Sequence, residues 1–260
     1  MTDFLKSRLY IHLHSKSFKI FFAFSVVWCI ACLLTVLGVE PDKEPISSAY
    51  GLWCFMEFYL SAIPVAVAYW YGDLIPNRFE DNFPFKFDHK LSFSAVLFTM
   101  LMNLFCVVIF LILGIILFLL PSKVVVYHND PLTIFKISLV FIAASFVRCL
   151  LVIILIELTK SRIWGTIFAY LCIIGVSFEL LLSIEAAILI AAGVKSSSFP
   201  ISSSSIYQNF SALMPGFRNR EQWVVRDLHA DVSGILLKMV LYFAIAAILA
   251  LILIRRKDKK

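Results

Sequence analysis

The sequence predicts an all-α integral membrane protein with six transmembrane helices and cytoplasmic N- and C-termini. Of its 260 residues, 61% are hydrophobic and 15% are charged, whereas soluble domains average roughly 45–50% apolar and about 25% charged residues. Several apolar runs are long enough to cross about 30 Å of hydrocarbon. Backbone groups in lipid must be hydrogen-bonded within the protein, and the runs lack the alternating polarity of barrel strands, so helices are expected.

The predicted spans are separated by links that contain polar or charged residues and differ widely in length. In chain order they cover residues 20–39, 49–71, 91–120, 132–156, 163–192 and 233–254. The first span follows a basic segment, but its apolar stretch is longer than a signal-peptide core and no small-residue cleavage pattern follows it, so we expect it to be retained. The third span exceeds the minimum length and must tilt or project beyond one face.

The distribution of basic residues predicts the orientation. With the N-terminus inside, the inner segments contain 14 of the 23 Lys and Arg residues and the outer loops contain 6. Since basic residues stay preferentially in the cytoplasm, residues 72–90 are expected to face the cytoplasm, and residues 193–232 form a long outer loop before the last helix. The second part of that loop is rich in aromatic residues, which favours an interfacial or capping segment over a mobile loop with incidental aromatics.

Cysteines and sequence motifs offer no support for catalysis. All six cysteines lie inside apolar runs, so a disulfide framework is not expected, and Cys29 and Cys32 lack nearby His or carboxylate residues for a metal site. The sequence contains no phosphate-binding loop, no G-x-S-x-G elbow and no H-E-x-x-H helix. We therefore predict no catalytic residues, no metal and no cofactor in this chain.

Charged residues within the predicted spans indicate a functional or structural role more strongly than the cysteines do. Inserting each one costs about 2.5–3.5 kcal/mol at the bilayer centre. Glu185 and Lys238 lie on consecutive spans in the outer part of the bilayer and could pair, as could Arg148 and Glu179 nearer the middle. Glu57 also lies in the outer part. Such charges either fix the register of the helices or line a substrate path, and the sequence leaves both roles open.

The segment between the second and third spans, residues 72–90, mixes charges with aromatic residues. It is longer and more apolar than a simple connection needs, so it is predicted to dock against a cytoplasmic partner, unless its aromatics rest among lipid headgroups. The candidate docking residues are Asp73, Arg78, Phe79, Glu80, Asp81 and Phe83.

This layout resembles the permease subunits of ABC-2 type transporters, the membrane-spanning subunits of ABC exporters. The resemblance covers nearly the whole chain. It rests on the basic N-terminal segment, the Ile63-Pro64-Val65 and Gly72-Asp73 residues near the end of the second span, the polar-aromatic link, the large loop before the last span and the tail that begins at Leu251. In such permeases the link between the second and third spans carries a coupling helix, which maps here onto residues 73–83.

The resemblance implies an exporter in the bacterial cytoplasmic membrane that moves an amphipathic or hydrophobic substrate, such as a peptide, a drug or a lipid-like molecule. It also implies a separate ABC ATPase subunit that binds ATP and Mg²⁺, and a second copy of the permease or a paralogous permease. Membrane lipids are the other expected partners, and nucleic acid is not. The alternatives are a non-transporting membrane protein for immunity, sensing or scaffolding, and an intramembrane enzyme.

Overall fold

A computed structural model describes residues 46–72, 89–119, 125–127, 131–173, 176–193 and 232–257, together with scattered residues between 6 and 30. Within these ranges it contains helices and two very short strands. In chain order the elements are β1 (Ile46–Ser47), α1 (Ser48–Gly72), α2 (His89–Leu119), β2 (Val125–Tyr127), α3 (Pro131–Thr159), α4 (Arg162–Ile173), α5 (Val176–Ala191) and α6 (Val232–Lys257).

Among the described residues, three helices are long and apolar enough to span a membrane: Phe93–Ile116 within α2, Pro131–Thr159 and Val232–Ile254 within α6. This indicates a membrane-embedded protein. The helix α1 is 25 residues long and covers the second predicted span. The fifth predicted span contains two helices, α4 and α5, and residues 174–175 between them lie outside the description.

One predicted boundary differs from the structure. The sequence placed a link at residues 157–162, because Glu157 interrupts the apolar run. In the structure α3 continues to Thr159 and α4 begins at Arg162, so that only Lys160 and Ser161 form the turn. In the first predicted span only residues 22, 23, 26, 27 and 30 are described, each of them helical. Six crossings and cytoplasmic termini therefore remain predictions.

The helices α1 and α3 form the centre of the core. The helix α1 packs against α2, α3 and α4. The helix α3 packs against α1, α2, α4 and α6. Most of the described side chains of α1 are buried, including those of Tyr59, Leu60 and Ile63, which are 0% exposed. Val65 is the one exposed side chain among those described on α1, whereas α3 is buried along most of its length and exposes apolar residues such as Phe135 and Leu151.

Contacts at both ends establish that α1 and α3 run in the same direction. The strand before α1 pairs in parallel with the strand before α3, with Ile46 opposite Val125. At the other end of the two helices, the Tyr71 hydroxyl donates a hydrogen bond to Glu157. We call the end of the bundle at the two strands the strand end, and the end at the Tyr71–Glu157 contact the turn end. The helix α2 is antiparallel to both, since its Gly114 lies near Leu52 at the start of α1.

The helix α6 lies on the outside of the bundle and packs mainly along α3. Its buried positions recur at a nearly heptad spacing, which is typical of a narrow helix–helix seam. They are Val232, Met239, Ala246, Ala250 and Ile254. The remaining surface of the helix is largely exposed and apolar, as a lipid-facing surface would be.

Candidate functional site

A line of hydrogen bonds joins α1, α2 and α3 inside the bundle. The Tyr59 hydroxyl donates to Asn103 Oδ1 at 2.8 Å and lies 3.1 Å from the Asn103 backbone oxygen. Asn103 Nδ2 in turn donates to Ser145 Oγ at 3.2 Å, and Ser145 Oγ donates to the Ile142 carbonyl oxygen at 2.7 Å. The side chains of Tyr59, Asn103 and Ser145, which we call the polar triad, are all 0% exposed.

The polar triad lies near the middle of all three helices that contribute to it. Ser145 is at the midpoint of α3, and Tyr59 and Asn103 are close to the midpoints of α1 and α2. If these helices cross the bilayer, the triad lies near its central plane, where no water replaces a missing hydrogen bond. Burying an unsatisfied polar group costs roughly 1–3 kcal/mol by protein mutational data, so these bonds fix how the three helices meet.

Arg148 lies beside the polar triad on α3, one turn beyond Ser145 and on the same side of the helix. Its side chain is 1% exposed and is among the largest fully buried side chains of the described residues. An arginine remains charged in a protein and presents five N–H donors. The centre of the bundle therefore contains a positive charge next to a hydrogen-bonded polar line, which is the chemistry needed to hold an anionic or polar group.

The other predicted intramembrane charges lie on three helices. Glu57 is on α1 and Glu179 is on α5, but their side chains are outside the described part of the chain. Glu185 on α5 and Lys238 on α6 are both half-buried. The pairings of Glu185 with Lys238 and of Arg148 with Glu179 therefore stay predictions.

The predicted docking residues lie outside the described part of the chain. They are Asp73, Arg78, Phe79, Glu80, Asp81 and Phe83, in the interval between α1 and α2. The structure does describe both ends of this interval, Gly72 and His89. Because α1 ends at the turn end of the bundle, the interval begins there.

A second polar cluster lies at the turn end. Tyr71 donates to Glu157 Oε1, and both side chains are buried. Close by, the Arg162 guanidinium carbon lies 5.8 Å from the centre of the Tyr69 ring, within the range of a cation–π contact. Both Glu157 and Arg162 fall in the link predicted between the fourth and fifth spans.

The polar triad was not predicted from the sequence, because only the charged residues within the spans were treated as candidate site residues. The signal was available, since Asn103 and Ser145 are polar residues close to the centre of long apolar runs. A polar side chain at that depth must find a partner on a neighbouring helix. Which helix supplies the partner depends on the packing, and the sequence did not reveal it.

The described residues contain no group of three or more His, Cys, Asp or Glu side chains that could hold a metal. Cys106 and Cys149 are buried free thiols. No protein-family model, curated protein or solved structure matches this chain. The function is therefore inferred from the buried polar groups and from the surfaces around them.

Proposed function

We propose that this protein is the permease subunit of an ABC-2 type exporter and forms the membrane pathway for an amphipathic or hydrophobic substrate. One observation carries the proposal. The side chains of Arg148 and the polar triad lie near the middle of apolar helices and are buried in the bundle interior. Ionisable residues inside a membrane are costly and typically mark substrate or ion pathways. A buried arginine favours a substrate with an anionic or strongly polar group attached to an apolar body.

The proposed topology has six crossings with both termini in the cytoplasm. It is supported by the parallel direction of α1 and α3 and the opposite direction of α2, as successive crossings require. In this topology the turn end is cytoplasmic and the strand end is external. Lys160 in the turn and Arg162 at the start of α4 then fall on the side where basic residues are preferred.

The proposed energy source is a separate ABC ATPase subunit, which would bind ATP and Mg²⁺. Residues 73–83 are the proposed contact, and they follow directly from α1 at the turn end. A second permease copy or a paralogous permease would complete the pathway. The bacterial cytoplasmic membrane is the proposed location.

A non-transporting immunity, sensor or scaffold protein is the second candidate, and a specific observation favours it. The hydrogen bonds of the polar triad are made between protein groups, and Ser145 also bonds within its own helix. Buried polar groups of this kind can have a purely structural role, in which they fix one arrangement of the helices. In that case the triad would have no substrate to bind.

Recovery of an ATPase separates the two candidates. The chain is purified from its native membranes in mild detergent, and co-purifying proteins are identified by mass spectrometry and assayed for ATP hydrolysis. The transport proposal predicts an ABC ATPase whose recovery falls in a Phe79→Ala variant and persists in an Arg148→Gln variant. A well-expressed chain that recovers no ATPase would support the second candidate.

Cysteine labelling tests the proposed orientation. Single cysteines at Ser203 and Asn82, in a background without native cysteines, are exposed to an impermeant thiol reagent in intact cells. We expect labelling at Ser203 and protection at Asn82. Labelling at Asn82 with protection at Ser203 would reverse the orientation.

A further inference from the structure

Two side-chain contacts fasten the end of α1 to the hairpin formed by α3 and α4. The Tyr71 hydroxyl donates to Glu157 on α3, and the Tyr69 ring lies beneath Arg162 at the start of α4. We call these two contacts together the clasp. They differ in chemistry, since one needs a hydroxyl group and the other needs an aromatic face.

The turn that joins α3 to α4 is itself tightly held. Thr159 Oγ1 donates to the Leu155 carbonyl oxygen at 2.8 Å and lies 3.1 Å from the Ser161 carbonyl oxygen. Lys160 adopts a left-handed conformation with φ of 50°, which reverses the chain within two residues. Gly165 N donates to the Ser161 carbonyl oxygen at 2.9 Å and starts the hydrogen bonding of α4.

The two helices of the hairpin approach each other closely just beyond the turn. A Cβ atom added at Gly165 would lie 2.7 Å from Ile156 Cα and 3.0 Å from Ile156 N. Ala169, four residues further along α4, is fully buried. Small residues at this spacing let helix backbones meet in a membrane, so α3 and α4 form a stiff unit to which α1 is fastened.

The geometry of the clasp fixes the rotation of α1 as well as its position. Successive helical residues are about 100° apart, so the directions of Tyr69 and Tyr71 differ by about 160° around the helix axis. One reaches α4 and the other reaches α3. A rotation of α1 that kept one contact would break the other, so the two contacts together select one orientation of the helix end.

We propose that Tyr71, Glu157, Tyr69 and Arg162 are positioning residues that fix the position and rotation of the end of α1, and so the point at which the chain leaves this helix. The end of α1, the turn and the start of α4 then move as one body. The importance of this point for ATPase docking rests on the proposed function. The clasp itself does not, because it is a contact between parts of this chain.

Spin-label distance measurements in lipid nanodiscs test the clasp. One label pair joins Asp73 to Leu158, which is 59% exposed and makes no clasp contact. A control pair joins Ile116 to Leu132, two exposed side chains toward the strand end. We expect Tyr71→Phe and Tyr69→Leu each to broaden the Asp73–Leu158 distribution and to leave the control pair unchanged. Loss of one hydrogen bond of this kind changes the ratio of clasped to open states by roughly tenfold.

The matched control is Tyr69→Phe, which keeps the aromatic face below Arg162 and should broaden the Asp73–Leu158 distribution less than Tyr69→Leu does. An unaltered Asp73–Leu158 distribution in Tyr71→Phe would overturn the proposal, as would equal broadening by Tyr69→Phe and Tyr69→Leu. If Tyr69→Leu does not fold, Tyr71→Phe decides the question, because it removes only one oxygen atom. The measurement uses neither ATPase nor substrate, so its failure would leave the transport proposal standing, and failure to recover an ATPase would leave the clasp standing.

Discussion

The helices α3 and α6 look alike in sequence but lie in different surroundings. Both are long enough to cross a membrane, and their mean hydropathies are nearly equal. Each also carries a basic residue within its apolar stretch, Arg148 near the middle of α3 and Lys238 nearer the start of α6. Yet 67% of the most apolar window of α3 is buried within the protein, against 17% for α6.

Hydropathy therefore distinguishes a membrane-spanning helix from a water-exposed one, but it does not show whether protein or lipid surrounds that helix. The difference between the helices lies in their polar residues. Buried on α3 are Ser138, Ser145, Arg148 and Glu157, while the buried seam of α6 is apolar and contains the small residues Ala246 and Ala250. A helix with polar groups along its middle must be surrounded by protein that can satisfy them.

The largest expected contrast is between Arg148→Ala and Lys238→Ala. Removing the fully buried Arg148 side chain leaves a cavity and strands the groups around it, which should cost about 3–5 kcal/mol in free energy of unfolding. The half-buried Lys238 can extend its ammonium group toward the membrane surface, so its loss should cost at most about 1 kcal/mol. Unfolding of both variants in mixed micelles measures the difference, and equal losses would remove the contrast between the two helices.

A second contrast concerns how closely two pairs of helices approach each other, α3 with α4 at Gly165 and α1 with α2 at Gly114. Gly165→Ala places a Cβ against the Ile156 backbone and should cost about 2–3 kcal/mol, since backbone atoms cannot move aside alone. Gly114→Ala meets only the Leu52 and Phe55 side chains, which can adjust, and should cost about 1 kcal/mol or less. Thermal unfolding of the two variants gives the comparison, and a larger loss for Gly114→Ala would contradict the close helix contact.

Within α6, the same substitution at two nearby positions should separate the seam from the lipid-facing surface. Ala246 is buried against α3 in a cluster with Leu150 and Ile154, so Ala246→Leu should cost about 1–2 kcal/mol through overpacking. Ala244 is exposed, and Ala244→Leu should change stability by less than about 0.5 kcal/mol. Similar losses at both positions would mean that protein also covers the outer surface of α6.

The smallest expected contrast is between two serine-to-alanine changes. Ser145→Ala removes the acceptor used by Asn103 and should cost about 1 kcal/mol. Ser233 is exposed at the start of α6, and Ser233→Ala should have almost no effect. Chemical unfolding resolves the pair, and no loss in Ser145→Ala would show that the polar triad adds little to the helix contacts.

Much of the secondary structure follows from the sequence, because uninterrupted apolar runs between polar links are long enough to indicate helices directly. The run predicted as 49–71 is helical over Ser48–Gly72, and the run predicted as 233–254 is helical over Val232–Lys257. The run predicted as 132–156 continues as helix to Thr159, beyond the charged Glu157. In the structure Tyr71 satisfies that carboxyl group inside the bundle.

The candidate site was predictable only in part. Arg148 was singled out from its charge and depth, and the structure places it in the interior. The polar triad and the clasp were not found, because each joins residues from two or three helices that are far apart in sequence. Periodicity within one helix does not reveal which neighbour supplies a hydrogen-bond partner.

Oxygen accessibility of spin labels in nanodiscs tests most directly the claim that α3 is surrounded by protein and α6 by lipid. Labels are placed singly at residues 143–149 of α3 and 243–249 of α6. We predict low accessibility at all seven positions of α3. For α6 we predict a helical pattern, with high values at Ala244, Ile245 and Ile248 and a minimum at Ala246. The same lipid-exposed pattern on both helices would contradict the account.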